Sequence, residues 1–346
     1  MRAMVNSKES IKIRENLNRP FMRYVITPQV MDHYEKGYNY EQYDRRVLKF
    51  AKDNIGSDSD CFLLYAVSQM GCADLDTIRN FLSAMAKRNK NLNIASMDDR
   101  SRDYVRKRIS FLYSNGFLFR YAYLVESPTA DKNGVKTDMD KHSLYTIDKM
   151  SQMFMAEHFS KRIAVRDWLV AKNIGELVSM GSASYAGAKI ANSSSFFVEY
   201  KKGVFKSRSI GTCYLSLEIK FDKEGESYYV GVVPAYMHYY DKIQSPEDFE
   251  DACIYKLNLI KNYFEFRDYR NETSRMVVSV ENNGDLMEFS RFVQRYYDVI
   301  SPYLDRIYIT GEGAIKGAAS IKEAFLRMVP DGSGAIGFED ICPEFF

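Results

Sequence analysis

The sequence lacks the features that mark membrane, secreted and zinc-binding proteins. No apolar run approaches the roughly 18 to 20 residues that span a bilayer, and the amino terminus has no apolar signal-peptide core. The five cysteines are widely scattered, which argues against a disulfide framework and a CxxC metal motif. The four histidines are isolated, so no HxxxH or HxH pair offers two imidazoles to one metal. These absences predict a cytoplasmic protein with reduced thiols, no membrane partner and no structural zinc.

The chain also lacks a strong net charge. Its 48 basic residues oppose 46 acidic ones, which gives a formal charge of +2 and a pI of about 8.1. A nucleic-acid surface must therefore be a local patch, and a histone-like coat is excluded. With 346 residues, of which 46% are hydrophobic, the chain has a globular composition and is long enough for two domains.

The most informative segment is the basic stretch from Met97 to Gly116. Val105, Ile109 and Leu112 recur at the spacing that builds one apolar stripe, which predicts a helix. On a helical wheel, five side chains face away from the stripe: Arg100, Asp103, Lys107, Ser110 and Ser114. Three further cations flank it: Arg102, Arg106 and Arg108. This pattern favours a nucleic-acid surface, and an ordinary solvated helix face is the alternative.

The neighbours of this helix predict a compact unit. The predicted elements, in chain order, are helices over Cys61–Met70, Leu75–Lys87 and the basic segment, a strand over Phe117–Val125, a polar loop over Ser127–Lys141 and a strand over His142–Ile147. Helix, helix, helix, strand, loop, strand is the order of a winged helix. The phrase from Val105 to Arg120, followed by Ser143–Ile147, resembles the winged-helix family. That resemblance implies a third helix in the major groove of DNA and a loop that serves as the wing.

The resemblance assigns roles to individual residues. Four cations would neutralise phosphates or bond guanine edges: Arg100, Arg102, Arg106 and Lys107. Ser110 would add a short polar contact. Three lysines would lie in or beside the wing: Lys132, Lys136 and Lys141. Arg108, close to the apolar stripe, is expected to be structural. Because winged helices also dock proteins, a protein-binding module remains open.

Upstream, residues 1–57 are expected to form a partly helical extension, with a helix around Tyr40–Asp53. The winged helix would occupy residues 58–150. Downstream, residues 151–346 would form a second domain, which makes the chain α+β overall: an amino-terminal winged helix-turn-helix followed by a mixed α/β sandwich.

The pattern of the second domain predicts a meander followed by α/β units. Helices are expected from Ser151 to Glu157 and from Lys161 to Met180. Strands and helices then follow in this order: strands Ser195–Tyr200, Cys213–Phe221 and Tyr228–Tyr236, helix Phe249–Phe266, strand Arg275–Glu281, helix Asp285–Val299 and strand Arg306–Thr310. Together these elements predict a mixed sheet with helical layers.

That arrangement, downstream of a winged helix, resembles the replication-relaxation family of plasmid and mobile-element proteins and, through it, the PD-(D/E)xK nuclease fold. The nuclease resemblance implies an acid on one strand and an acid-x-lysine on the next, which together hold Mg²⁺. Here Glu218 and Lys220 supply the second element, and Glu199 is the partner candidate. The pattern departs from the family because no Pro-Asp pair precedes Glu218. A cross-strand salt-bridge ladder is the other interpretation of these residues.

The sequence thus predicts a protein that binds double-stranded DNA and requires no cofactor. It would act in the replication, transfer or transcription control of a mobile element, with a homodimer left open. The alternatives are a Mg²⁺-dependent nuclease or relaxase using Glu199, Glu218 and Lys220, and a winged-helix adaptor that binds protein.

Overall fold

The computed structural model describes residues 23–26, 58–88, 99–115, 117–131, 134–147, 151, 154–155, 174–207, 211–235, 246–330 and 335–346. The contacts divide the chain into two units. Residues 22–181 form the first unit and residues 182–346 belong to the second, so the boundary falls within the helix of residues 174–193. The predicted helix around Tyr40–Asp53 lies outside the described residues.

In the first unit the described helices α1 (Asp58–Met70), α2 (Leu75–Arg88) and α3 (Asp99–Ser114) confirm the three helices predicted for this region. Gly71, with a φ of +73°, takes the left-handed conformation that ends α1. The backbone N–H of Thr77 donates to the Asp74 carboxylate over 2.7 Å, which caps the start of α2.

A long hairpin follows the helices. Strand β1 (Arg23–Ile26) pairs with β2 (Leu118–Asp131), and β2 pairs with β3 (Gly134–Ile147) along its whole length. The predicted loop over Ser127–Lys141 was therefore wrong over most of its length, since the strands pair as far as Asp131 and Gly134. The sequence pattern did not reveal these strands, because their residues are mostly polar and charged. A two-stranded ribbon can be held by hydrogen bonds between its strands without an apolar face.

A backbone bridge ties this hairpin to the helices. Ala73, in the turn between α1 and α2, exchanges hydrogen bonds with Tyr145 of β3 over 3.1 and 2.8 Å. The core beneath is formed by apolar side chains that are almost completely buried: Leu64, Val67, Ile78, Phe81, Val105, Ile109, Leu112 and Phe117. The three helices and the hairpin are therefore parts of one packed unit.

Helix α4 (Ile174–Ser193) extends beyond the predicted end at Met180. Two glycines of α4 allow close packing. A Cβ at Gly181 would lie 2.9 Å from Leu144, and a Cβ at Gly187 would lie 2.8 Å from Leu217. The described residues of the preceding predicted helix, at 151 and 154–155, are helical and buried.

The second unit is built on a seven-stranded mixed sheet. Its strands are β4 (Phe197–Lys201), β7 (Leu217–Lys223), β8 (Glu226–Pro234), β9 (Thr273–Ser279), β10 (Ile307–Thr310), β11 (Leu326–Pro330) and β12 (Ile336–Asp340). The spatial order is β12-β11-β10-β9-β8-β7-β4. The first three strands in sequence form an antiparallel meander, β8, β9 and β10 are parallel, and the last two return antiparallel. The predicted mixed sheet is confirmed.

The helices of this unit are α5 (Pro246–Asp268), α6 (Asn283–Arg295), α7 (Tyr297–Ile300) and α8 (Glu312–Gly317), with 3₁₀ turns at Ser301–Arg306 and Ile321–Glu323. Helix α5 is the crossover between β8 and β9. Sequence patterns predicted α5, α6 and β10. They missed α8, β11 and β12, which lie between residues 312 and 340.

The strand predicted over Cys213–Phe221 is confirmed from Leu217 onward, as β7, but its first two residues belong to another strand. Residues 204–214 instead form a separate hairpin of β5 (Val204–Ser207) and β6 (Gly211–Tyr214), inserted between β4 and β7. The Leu215 backbone N–H donates to the Gly203 carbonyl over 2.7 Å, which closes the base of this hairpin.

The core of the second unit lies where Phe345 meets the sheet. Its ring stacks on Phe221 with centroids 5.3 Å apart and contacts Tyr308 edge-on at 5.7 Å. Cys72, Cys213, Cys253 and Cys342 carry free thiols, and of these four only Cys342 is exposed. Burial raises the pKa of Cys253 to about 12. Of the helices that the structure describes, none has the length and apolarity required to cross a membrane.

Candidate nucleic-acid interface

Helix α3 is held by one face and exposes the other. Val105, Ile109 and Leu112 are at most 1% exposed, as the predicted apolar stripe requires. The opposite face exposes Lys107 and Ser110. Because residues three and four positions apart share a helix face, burial of the stripe fixes the direction of the polar side chains.

The exposed face of α3 carries a mixed charge. Arg106 lies 3.3 Å from Asp103 in an ion pair, and both side chains are more than half exposed. Lys107 and Ser110 lie on the same exposed side, and Tyr104 is 44% exposed. An exposed pair of this kind contributes little to stability, so Arg106 can exchange its carboxylate for a phosphate at low cost.

Arg108 differs from its neighbours. Its guanidinium makes a two-point ion pair with the buried Asp60 of α1, with Nε 2.8 Å from Oδ1, and lies 4.4 Å from the centre of the Phe111 ring. The hydrogen bond with Asp60 holds the pKa of Arg108 above its ordinary value. The structure thus places this cation in the packing between α1 and α3, as the sequence predicted.

The remaining predicted DNA contacts are only partly described. Arg100 and Arg102 lie in α3, and Lys136 and Lys141 lie in β3, but their side chains are outside the described part of the structure. Lys132 lies outside the described residues, between the two paired strands. Arg100 and Arg102 thus lie on the predicted helix, whereas Lys136 and Lys141 lie in a strand where the sequence predicted the wing loop.

Glu199, Glu218 and Lys220 come together on the sheet of the second unit. Glu199 lies opposite Lys220 in the β4–β7 pairing, and Lys201 lies opposite Glu218. Residues directly opposite each other and residues two apart share a sheet face, so all four side chains lie on one face. The residues form two cross-strand acid–base pairs, of which Lys201–Glu218 is a salt bridge of 3.1 Å.

The Glu218 carboxylate is buried and is held by two cations. One oxygen accepts from Arg267 of α5, and the other is the one that pairs with Lys201. Arg267 is also buried, pairs with Glu272 and lies 3.8 Å from the centre of the Tyr229 ring. Burial acts to lower the pKa of Arg267, but its contacts with Tyr263, Glu218 and Glu272 raise it above the ordinary value.

These contacts do not fit a magnesium site. A divalent cation would have to displace Arg267 or Lys201 from Glu218, which would leave a cation buried without its partner. Within the described residues, no three His, Cys, Asp or Glu side chains form a group that could hold a metal. Sequence reasoning missed Arg267 because it lies 49 residues from Glu218, on an element whose position depends on the sheet topology.

No protein-family model matches the chain, and a search of curated proteins finds no match in sequence. The function is therefore inferred from the chain's own residues.

Proposed function

We propose that this chain binds double-stranded DNA through a winged helix formed by residues 58–147, with α3 in the major groove. The observation that carries the proposal is the sorting of charge on α3. Lys107, Arg106 and Ser110 face solvent, whereas the adjacent Arg108 is turned inward onto Asp60. A helix that uses Arg108 for packing and exposes Arg106 and Lys107 offers an anion-binding face on a packed support.

The dimensions of the unit support the same function. Helix α3 has 16 residues, which corresponds to about 24 Å at 1.5 Å per residue, and the major groove admits one α-helix. The β2–β3 hairpin follows α3 directly, and the Ala73–Tyr145 bridge ties it to the turn before α2. Lysines at positions 132, 136 and 141 would meet the phosphate backbone from this hairpin.

The second unit, in this proposal, supports DNA binding without cutting DNA, because its acidic ladder is neutralised by Arg267 and Lys201. The resemblance to replication-relaxation proteins supports a role in the replication, transfer or transcription control of a mobile element.

Fluorescence anisotropy with a labelled random-sequence duplex tests the proposal. Binding should weaken steeply between about 50 and 200 mM salt, because each phosphate contact contributes about 0.9 to the slope of log K against log salt. Lys107→Glu should weaken binding and flatten that slope, whereas Lys322→Glu, the same charge reversal at an exposed lysine of the other unit, should change neither. A signal that does not change with salt, or equal effects of the two variants, would contradict DNA binding by α3 and favour a protein-binding module.

A further inference from the structure

An acid, Asp103, lies on the face of α3 that we propose to meet DNA. Its side chain is 62% exposed and lies 3.3 Å from the guanidinium of Arg106, which is 64% exposed. An exposed ion pair of this kind contributes little to the stability of a fold. Both DNA strands carry phosphate charge, so an acid on this face opposes binding to the backbone. The position of Asp103 is therefore explained neither by stability nor by phosphate binding.

Asp103 and Arg106 lie in the part of α3 that contacts bases in a recognition helix. The helix begins at Asp99, so they are its fifth and eighth residues. Recognition helices contact base edges mainly through their amino-terminal residues. Residues three positions apart are neighbours on a helix surface, and the burial of Val105 and Ile109 turns this pair away from the core. Both side chains can therefore meet the same base pair.

Together the two side chains present a short row of hydrogen-bonding groups. The guanidinium of Arg106 is a planar fork that can offer two parallel N–H donors, and the ionised carboxylate of Asp103 only accepts. The row is therefore donor, donor, acceptor. The Nη2 atom of Arg106 and the Oδ1 atom of Asp103 are 3.3 Å apart. The amino nitrogen and carbonyl oxygen that are hydrogen-bonded in a base pair are separated by a similar distance, about 2.9 Å.

A G·C base pair has the complementary row in the major groove. Guanine presents N7 and O6 as acceptors, and cytosine presents its N4 amino group as a donor. An A·T pair instead presents acceptor, donor and acceptor, followed by the thymine methyl group. It can satisfy at most two of the three positions, and it then sets the carboxylate beside a second acceptor, which repels it. The order of the groups therefore favours G·C over A·T.

We propose that Asp103 and Arg106 select a G·C base pair, with Arg106 donating to guanine and Asp103 accepting from the cytosine amino group. This inference rests on the proposed function, because it assigns sequence selectivity to the same helix. The acid acts largely by repulsion, since it weakens binding to every sequence and does so least where it meets a donor. Lys107, on the same face, contacts phosphate and does not distinguish sequences.

Anisotropy of the full chain with three labelled duplexes of equal length tests the proposal. Their sequences are alternating A·T, alternating G·C and alternating inosine·cytosine. Inosine lacks only the 2-amino group of guanine, so the third duplex combines the major-groove row of G·C with a minor groove like that of A·T. Wild type should bind the G·C and inosine·cytosine duplexes roughly 5- to 150-fold more tightly than the A·T duplex, the discrimination expected of one bidentate base contact.

Matched variants separate selectivity from affinity. Asp103→Ala should tighten binding to the A·T duplex most and so reduce the preference for G·C. Asp103→Asn should shift the preference towards A·T, because an amide can bond both N6 and N7 of adenine. Lys107→Glu should weaken binding to all three duplexes by the same factor. Asp76→Ala, which breaks the ion pair with Arg79 at the same spacing on α2, should leave the preference unchanged. Thermal unfolding checks that each variant folds.

The outcomes distinguish this inference from the proposed function. Failure of wild type to bind any duplex would overturn both. Equal affinity for the three duplexes, or the same preference in Asp103→Ala as in wild type, would overturn G·C selection and leave DNA binding by α3 intact. Binding of inosine·cytosine at the A·T level would also overturn it, because the chain would then respond to the minor groove. Equal effects of Asp103→Ala and Asp76→Ala would do so too, since net charge alone would explain them.

Discussion

Helix α3 and the β4–β7 face of the sheet contain the same types of charged side chain in opposite circumstances. On the sheet, Glu218 is buried between Arg267 and Lys201, so the charges are neutralised within the chain. On α3, Lys107 is exposed, and Arg106 pairs with Asp103, which is itself exposed. The difference shows that a run of charged residues indicates an external partner only where the folded chain itself does not supply the opposite charges.

The same contrast occurs between two adjacent residues. Lys107 and Arg108 differ by one position, which rotates the side chains by about 100° around the helix. That rotation directs Arg108 onto Asp60 and Lys107 into solvent. Substitutions in the buried ion pairs should therefore lower the free energy of unfolding, whereas substitutions of the exposed cations of α3 should change DNA binding.

The largest expected effect is on the sheet. Glu218→Ala removes the partner of the buried Arg267, and breaking a buried ion pair costs about 3–5 kcal/mol. Since Glu272 still pairs with Arg267, we expect the lower end of that range in the free energy of unfolding, measured by urea denaturation. Glu199→Ala, on the same face but exposed, should change the free energy by no more than about 0.5 kcal/mol.

A second substitution distinguishes a buried charge from impaired packing. Replacing both members of the pair, as Glu218→Leu with Arg267→Met, should recover much of the stability, because neither fully buried charge then remains, while Glu272, which loses Arg267, is partly exposed to water. If Glu218→Ala unfolds no more readily than Glu199→Ala, the ion pair has no structural role. The site would then again be a candidate for cation binding.

The second effect lies between α1 and α3. Asp60→Ala leaves Arg108 without its carboxylate, but that guanidinium is partly exposed, so we expect a smaller loss of about 2 kcal/mol. Urea denaturation again measures it. Lys107→Ala is the matched control on the same helix and should leave stability within about 0.5 kcal/mol while weakening duplex binding. Equal stability losses for the two variants would mean that burial does not distinguish these neighbouring cations.

Sequence patterns predicted one side of this comparison well. The stripe of Val105, Ile109 and Leu112 placed Lys107 outward and Arg108 near the core, because helical geometry is local and periodic. The Arg267–Glu218 pair could not be predicted, because its members meet only after α5 has crossed over the sheet. Strand alternation did place Glu218 and Lys220 on one face, but the register that sets Glu199 opposite Lys220 is a tertiary property.

The errors in the predicted elements have the same origin. The polar ends of β2 and β3 were assigned to a loop because their stability comes from mutual pairing, which residue type does not record. The helix was predicted to end at Met180, but α4 continues through Gly181, whose missing side chain accommodates Leu144. The strand partners lie close together in one hairpin, from Ser127–Asp138 to Asp131–Gly134, whereas Leu144 is distant in sequence from Gly181.

The third prediction concerns how the stability of the second unit depends on pH through Glu344. Burial disfavours the charged form of Glu344, but hydrogen bonds from Tyr308 and Arg275 outweigh burial and hold the pKa of this carboxylate below its ordinary value of 4.5. A depressed folded-state pKa stabilises the fold above the unfolded-state pKa, and this contribution is lost as the pH falls through the folded-state value. The melting temperature of wild type should therefore fall more steeply below about pH 4.5 than that of Glu344→Gln. Parallel curves would contradict this assignment.

The smallest effect returns to α3. Asp103→Ala removes an exposed ion pair with Arg106, so the free energy of unfolding should change by no more than about 0.5 kcal/mol. The same substitution frees Arg106 for a phosphate and removes a negative charge from the proposed interface. Duplex binding should therefore tighten, with a salt slope steeper by up to about 0.9 in the anisotropy assay. Asp76→Ala, which removes an exposed acid from its ion pair with the mostly buried Arg79 in this unit, controls for net charge. Removal of an acid would thus destabilise the fold at Glu218 but strengthen DNA binding at Asp103. Weaker duplex binding by Asp103→Ala would show that this face of α3 does not contact DNA.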